Sequence, residues 1–502
     1  MQNLLTELNN ILWSPFLVYL FLGLGLLYTI MTKFVQVVHV KDMIKLTFEK
    51  KDNDSKEGVS SFQALSMSLG SRVGTGNIAG VATAIAFGGP GAVFWMWVTA
   101  FLNSATSFIE ITLTQIYKTK INGELRGGVP YYIEKGLKLK KLAMFSALLT
   151  LGVMTLFWPG VQSNTVSLAI NNAFHVPTYV TGIVLSALFG AIIIGGVQRI
   201  SKVAEIIVPF MAIVYLVVCL LIILLNFEII PSIFSLIISS AFNANATFGG
   251  LMGTAIAWGV QRGVYSSGAG VGSETFESGA AEVSHPAKQG LVQAFSVYID
   301  TLLICSATAF MILVTGMYNV KSLNVTNIPN IEPSLYTQYA VESAFPGFGS
   351  TFLAISLFFF CFTTLISYYY KAETNLIFLK TKLNINHSWP EWTLKILTIC
   401  TVFYGSLRSA NTAWLLGDIG MGAMAWLNLV VIFALTKTAL KVLHDYKDQK
   451  KNGMNPVFSP SKLGITNADF WDNTNNSPKK NLRTDRNKEL VVGKEFVMDI
   501  KK

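Results

Sequence analysis

Apolar runs recur along the chain between short polar segments; 180–194, 203–225, 352–366 and 426–435 are examples. Several reach or approach the roughly 20 residues that cross a bilayer. Any one of them could be a buried core helix, but a long series of them does not fit a soluble core. The pattern predicts eleven membrane spans, at 14–32, 61–87, 91–117, 142–169, 178–197, 203–225, 249–268, 290–316, 349–370, 391–406 and 409–436. The tenth is short, with Lys395 near its start placed to snorkel to the interface. Segment 229–247 is apolar but interrupted by Pro231 and polar at its end, so an outer interfacial or re-entrant helix is expected. Segment 441–502 is polar and is expected to be partly disordered, with KVLHDYKDQKK as a short surface helix.

Composition strengthens this reading. Of 502 residues, 52% are hydrophobic and 13% charged, whereas soluble domains carry about a quarter charged residues. A net charge of +10 on a soluble protein would suggest nucleic acid. Here it lies mostly in loops and tail, so the expected partner is the lipid bilayer, with no nucleic acid and no obligate protein partner. Segments 33–57 and 118–141 hold six lysines each, and Lys371, Lys380 and Lys382 follow the ninth span. With eleven spans all of these fall on one side, which the positive-inside rule makes the cytoplasm. The amino end is then outside and the carboxyl end inside. No basic n-region or cleavage pattern marks a signal peptide, so the first run is expected to remain as a span. Cys219, Cys305, Cys361 and Cys400 sit in apolar runs and read as small hydrophobes.

One membrane-length run contains SRVGTGNIAG, residues 71–80. Its glycine spacing is not a Walker loop, no GK[ST] follows, and no βαβ pattern surrounds it. Two readings remain: close helix packing, or a helix broken where its freed backbone groups line a cavity and meet a ligand. The stretch 250–273 in the seventh span is similar in character. Each opens a set of five spans, and paired interrupted segments in two halves point to a secondary transporter with inverted repeats. The implied division is 1–60 (an extra span and a cytoplasmic loop), 61–225 (first repeat), 226–248 (outer helix or loop), 249–436 (second repeat) and 437–502 (basic tail).

Polar residues at membrane depth supply the candidate chemistry. Glu110, Asp300 and Asp418 each line a pathway or form a structural pair, and Glu205 is a weaker case. Asp418, between Gly417 and Gly420, suggests a further kink, and Pro159 should distort the fourth span. Gln162 beyond it suits a zwitterion or an interhelical bond. Thr363 and Thr364 could complete an oxygen cage for Na⁺ with carbonyls near Gly74, or bond back to their own helix. Tyr368–Tyr370 read as interfacial aromatics. Arg72 and Arg262, beside the two breaks, suit pairing and gating. His39, His175, His285, His387 and His444 are scattered, and no nucleophile and base fall at credible spacing, so no enzyme is expected.

The stretches FQALSMSLGSRVGTGNIAGVATAIAFGGPGAVFWMWV (62–98), EVSHPAKQGLVQAFSVYIDTL (282–302) and DIGMGAMAWLN (418–428) resemble the alanine or glycine:cation symporter family, over about 14–440. The resemblance implies an all-α polytopic protein of a bacterial or archaeal cytoplasmic membrane. Its fold would be leucine-transporter-like, with two five-helix inverted repeats. It implies inward symport of a small neutral amino acid, alanine or glycine foremost, with Na⁺ or in some cases H⁺, and no organic cofactor. The substrate candidates are then Gly74, Thr75, Gly76, Asn77, Gly80, Gln162, Gly253 and Trp258. Gly74, Thr363 and Thr364 are the Na⁺ candidates; Arg72, Arg262, Asp300 and Asp418 would gate or couple. Where the family reads YSNEAG, residues 265–270 read YSSGAG; Glu274 or Glu277 could supply the missing carboxylate. A channel or non-transporting sensor on the same scaffold is the alternative.

Overall fold

The computed structural model describes residues 2–49, 58–194, 196–242, 252–320, 325–329 and 331–476. It is a helical, polytopic membrane architecture with two short antiparallel hairpins, Thr119–Ile121 with Glu124–Arg126 and Asn319–Val320 with Val325–Thr326. Among the described residues seven helices are long and apolar enough to cross a membrane: Gln2–Met31, Gly91–Tyr117, Lys140–Phe174, Ile206–Leu225, Pro286–Thr315, Gly349–Leu383 and Ala410–Lys451. The other expected spans coincide with shorter or interrupted helices: Ser61–Arg72 with Gly76–Gly88, then Thr178–Ile193, Met252–Ser267 and Trp389–Leu407. Large apolar side chains such as Ile206, Phe210, Ile213 and Leu224 point outward, the face that lipid would cover.

The first expected break is present. Helix Ser61–Arg72 starts on a capping box: Gln63 N–H donates to Ser60 Oγ and Ser60 N–H to Gln63 Oε1, each at 3.0 Å. It stops at Arg72, Val73 is extended (φ −70°, ψ 97°), and the chain re-enters helix through a π-turn at Gly76–Gly80. The second break falls at the far end of the 250–273 stretch. Met252–Ser267 runs unbroken, and its Gly259 is a packing glycine whose Cβ would lie 2.5 Å from Trp95 Cβ. Backbone order is lost only after it, where Gly268 (φ +63°), Gly270 (+83°) and Gly272 (+85°) form a buried left-handed turn.

Two other π-turns interrupt long helices. One, Val153–Phe157, lies just ahead of Pro159 and absorbs the distortion expected there, because proline brings no N–H to the preceding turn and its ring crowds it. The other, Tyr298–Cys305, carries Asp300.

Four expectations are corrected. Ala410–Lys451 is one uninterrupted helix: Gly417 and Gly420 admit Val161 and Val153 rather than kink it, and KVLHDYKDQKK is its last turns. The tail is not loose up to 476, since Phe458, Ile465, Ala468 and Trp471 are buried. Lys371 is not in a loop; it is fully buried within Gly349–Leu383. Tyr368–Tyr370 face protein and not the lipid boundary. The Glu205 side chain and residues 477–502 lie outside the described residues.

Candidate functional site

The broken helix brings four elements to one place. At the gap, Thr75 N–H and Thr75 Oγ1 donate to Gln162 Oε1 at 3.2 and 2.9 Å, and Gln162 Nε2 donates to Tyr368 OH at 3.2 Å. Gly74 N–H donates to Asn77 Oδ1 at 3.3 Å. Asn77 Nδ2 in turn donates to Asp300 Oδ1 at 2.6 Å and to Ser266 Oγ at 3.1 Å. Ser266 Oγ also donates to Asp300 Oδ2, at 2.5 Å. Gly76 is pressed against the end of Met252–Ser267: a Cβ there would lie 3.0 Å from Tyr265 Cδ1 and 3.3 Å from Ser266 Cα. All these groups are buried, so exposed peptide and amide groups face one another away from water and lipid.

Beside the gap lies a set of hard oxygens. Thr364 Oγ1 is 2.8 Å from Gly70 O and 2.9 Å from Phe360 O, while Thr363 Oγ1 is 3.4 and 2.8 Å from the same two carbonyls. A Cβ on Gly74 would stand 2.7 Å from Thr364 Oγ1 and 3.0 Å from Gln162 Oε1. Only glycine at 74 leaves both oxygens open to the gap. Two hydroxyls and two carbonyls without a thiolate or imidazole suit a hard monovalent cation. Among the described residues no group of three or more His, Cys, Asp or Glu could hold a metal ion.

On one side of the gap, Arg262 and Asp418 form a buried two-pronged ion pair, Nη1 to Oδ1 at 2.8 Å and Nη2 to Oδ2 at 2.7 Å. The guanidinium lies 4.4 Å from the Trp414 ring centroid and 5.0 Å from that of Trp258. This pair floors a cavity of about 490 Å³ that also touches Asn9, Thr83, Phe87 and Glu332. Gly80 faces the same layer, 3.7 Å from Trp414 and 3.8 Å from Arg262 as measured from a built Cβ. On the other side Arg72, expected to gate, is paired with Glu274 (Nε to Oε2, 3.6 Å) and donates to Ser296 Oγ. Lys371 Nζ reaches Glu274 Oε1 at 3.2 Å and Glu277 Oε1 at 3.4 Å.

The structure thus gathers Gly74, Thr75, Gly76, Asn77, Gln162, Thr363, Thr364 and Asp300 around one gap. Trp258 sits apart in the cavity above, stacked on Phe87 at 4.7 Å. Gly253 joins neither group; it is on the exposed first turn of its helix, with nothing within 4 Å of a built Cβ. Ser266, Lys371 and Tyr368 were missed. Ser266 was signalled by YSSGAG, whereas Lys371 looked like a loop lysine. The carboxylate of Glu274 occupies the space beside Gly268, 2.8 Å from a Cβ built there. Glu110 holds the glycine turn, accepting from Gly270 N–H at 3.2 Å and Asn428 Nδ2 at 3.0 Å.

The gap offers backbone amides, carbonyls and hydroxyls at membrane depth, with the Arg262–Asp418 and Arg72–Glu274 ion pairs nearby. The chain is a member of the sodium:alanine symporter family, whose profile matches residues 1–460. It is 53% identical over 477 residues to a Bacillus subtilis protein named provisionally as the sodium/proton-dependent alanine carrier YrbD, covering 94% of this chain and 98% of that one. It is 48% identical over 437 residues to the sodium/proton-dependent alanine carrier protein of Bacillus sp. strain PS3, covering 86% and 97%. In overall fold it is similar to a mutant of the Eremococcus coleocola manganese transporter (TM-score 0.51, 13% identity, 90% of this chain and 94% of that one). A Na⁺-coupled sialic acid symporter in a substrate-bound outward-open state is equally similar (TM-score 0.50, 13% identity, 92% and 96%). Family membership makes the chain a sodium-coupled amino-acid symporter and not an enzyme.

Proposed function

We propose that this symporter carries a small neutral amino acid, alanine or glycine foremost, together with Na⁺ into the cell by alternating access. The observation that carries this is the contact of Thr75 N–H and Oγ1 with Gln162 Oε1 beside the Thr363–Thr364 oxygens. The Gln162 amide oxygen stands where a substrate carboxylate would accept the same two bonds. Na⁺ would take Gly70 O, Phe360 O and the two threonine hydroxyls, replacing the protons those hydroxyls now direct at the carbonyls. Asp300, held by Asn77 and Ser266, supplies negative charge toward the substrate's ammonium. Gly76, against Tyr265 and Ser266, leaves room for a small side chain only.

The architecture proposed with this reading is eleven crossings in two inverted five-helix repeats, 61–225 and 249–436, of the leucine-transporter type. Residues 1–60 add the extra span, 226–248 the outer segment and 437–502 the cytoplasmic tail, with the amino end outside. Arg262–Asp418 would then close the outer side, Arg72–Glu274 the inner. Na⁺ and substrate favour the same arrangement of the broken helix, which is the coupling. The test is uptake of labelled alanine, glycine, serine and glutamine into proteoliposomes with and without an inward Na⁺ gradient. Gradient-driven uptake of the smaller substrates is expected; uptake indifferent to Na⁺ and to pH gradients would refute symport.

A further inference from the structure

The buried charges on the Arg72 side do not balance. Two cations, Arg72 and Lys371, face Glu274 and Glu277 on the glycine turn and short helix, Glu110 from Gly91–Tyr117 and Asp300 from Tyr298–Cys305. All six are buried. Full ionisation would leave two uncompensated negative charges, which burial makes expensive. Tyr370, Glu373, Arg126 and Glu124 stand further out on the neighbouring long helix and hairpin.

The two turn carboxylates are treated differently. Glu274 is held by four partners: Lys371, Arg72, Ser71 and Ser273. Among the described residues no hydroxyl or amide side chain bonds the Glu277 carboxylate, and its one close cation, Lys371 at 3.4 Å, is shared with Glu274. Burial pushes the Glu277 carboxyl up from its ordinary value, against Lys371 and reinforced by the charge on Glu274. Burial also acts on Glu274, but Lys371 and Arg72 together outweigh it and hold that carboxyl below its ordinary range. Environments that drive neighbouring carboxyls apart give one an ionised role and the other a proton.

We infer that Glu277 is a proton-binding residue whose protonation decides how Lys371 is shared, and through Glu274 and Arg72 how firmly the first broken helix is held shut on this side. With Glu277 protonated, Lys371 serves Glu274 alone and the Arg72–Glu274–Lys371 closure tightens. With Glu277 ionised, Lys371 is divided and the closure loosens. The proton comes from and returns to solvent, and no other bond changes. The inference rests on the symport reading for its effect on transport, but not for the proton site itself.

The test uses the full chain in proteoliposomes, as wild type, Glu277→Gln and Glu277→Asp. Exchange of labelled for unlabelled alanine is measured at equal Na⁺ and equal pH on both sides, from about pH 5.5 to about pH 9. Wild-type exchange should rise with pH by about threefold or more, Glu277→Gln should be flat at the wild-type acid level, and Glu277→Asp should titrate with a displaced midpoint. A Glu277→Gln profile that follows wild type overturns the proposal. If that variant is not monodisperse, an unmoved midpoint in Glu277→Asp overturns it. If wild type exchanges no alanine, the alanine reading fails, and thermal unfolding in detergent decides the proton site. A carboxyl raised in the folded state contributes stability at acid pH that is lost as pH rises through its folded value. The wild-type Tm should therefore fall over that range more than that of Glu277→Gln; equal slopes overturn the assignment.

Discussion

At the scale of single residues, the gap is defined by what is missing as much as by what is present. Gly74 has no side chain to cover the Thr364 hydroxyl, and Thr364 binds Gly70 O and Phe360 O at 2.8 and 2.9 Å. A threonine whose hydroxyl spans two helices pins the broken helix to Gly349–Leu383 whether or not a cation is present. Thr364→Ala removes one oxygen ligand and keeps the fold, since alanine is tolerated in a helix. Hydrogen bonds to charged groups contribute about 1.5–3 kcal/mol, so the Na⁺ concentration for half-maximal uptake should rise by roughly tenfold or more. Thr364→Ser should recover most of the loss, because it restores the hydroxyl. A Na⁺ dependence unchanged in Thr364→Ala would place the cation elsewhere.

At the scale of elements, helices are fastened to each other by buried charge. Arg262 on Met252–Ser267 and Asp418 on Ala410–Lys451 meet through two parallel bonds. Asp418→Asn leaves the guanidinium buried without a counter-charge, a change that costs about 3–5 kcal/mol when a buried pair is broken. Expected readouts are a clearly lower Tm in detergent and faster access of a cysteine reagent to the gap; unchanged values for both would remove the gating role. A second fastening is His285, which caps Pro286–Val297 by accepting Ala287 N–H at Nδ1, leaving Nε2–H to donate to Asp445. Burial lowers its pKa, with Asp445 opposing and Lys288 adding to the fall. The folded state thus keeps the neutral ring while the unfolded state takes up a proton near its ordinary pKa. Stability present above that value should be lost as pH falls, and His285→Gln should flatten the Tm profile between about pH 7 and about pH 5. Much of this was legible in advance. The Gly74–Gly80 break was readable because glycines in a membrane-length run contradict helix propensity, and Gln162 and Thr363–Thr364 because polar groups at that depth need partners. Gly259 misled, because tight packing onto Trp95 and a broken helix write the same letters. Lys371 and Lys118 were counted as loop charges, although both are fully buried. Which turn of a helix faces inward depends on neighbours far away in the chain, and Lys371 meets Glu274 across 97 positions and Ser71 across 300.

At the scale of the whole molecule, basic residues and tail gather at one end. Lys118 donates to Ala281 O at 2.8 Å and lies 4.5 Å from the Phe470 ring centroid, while Trp471 Nε1–H donates to Gln115 O at 2.9 Å. Asn467 Nδ2 donates to Lys135 O at 3.0 Å. The segment after Lys451 therefore folds back over the ends of the helices that flank the basic segment 118–141, so tail and loop must share a membrane face. The hairpin tip at Asn122 lies on that face, whereas Pro346 leads into the opposite end of Gly349–Leu383. Both are exposed. The lysine-rich loops favour the cytoplasm for the hairpin. In a background with the four native cysteines replaced, Asn122→Cys should react with a membrane-impermeant thiol reagent only in inverted vesicles, and Pro346→Cys only in intact cells. Labelling of both from one side would refute the proposed odd number of crossings between them. Exchange of the two patterns would invert the chain, put the Arg262–Asp418 cavity on the cytoplasmic side, and reverse which ion pair faces incoming Na⁺.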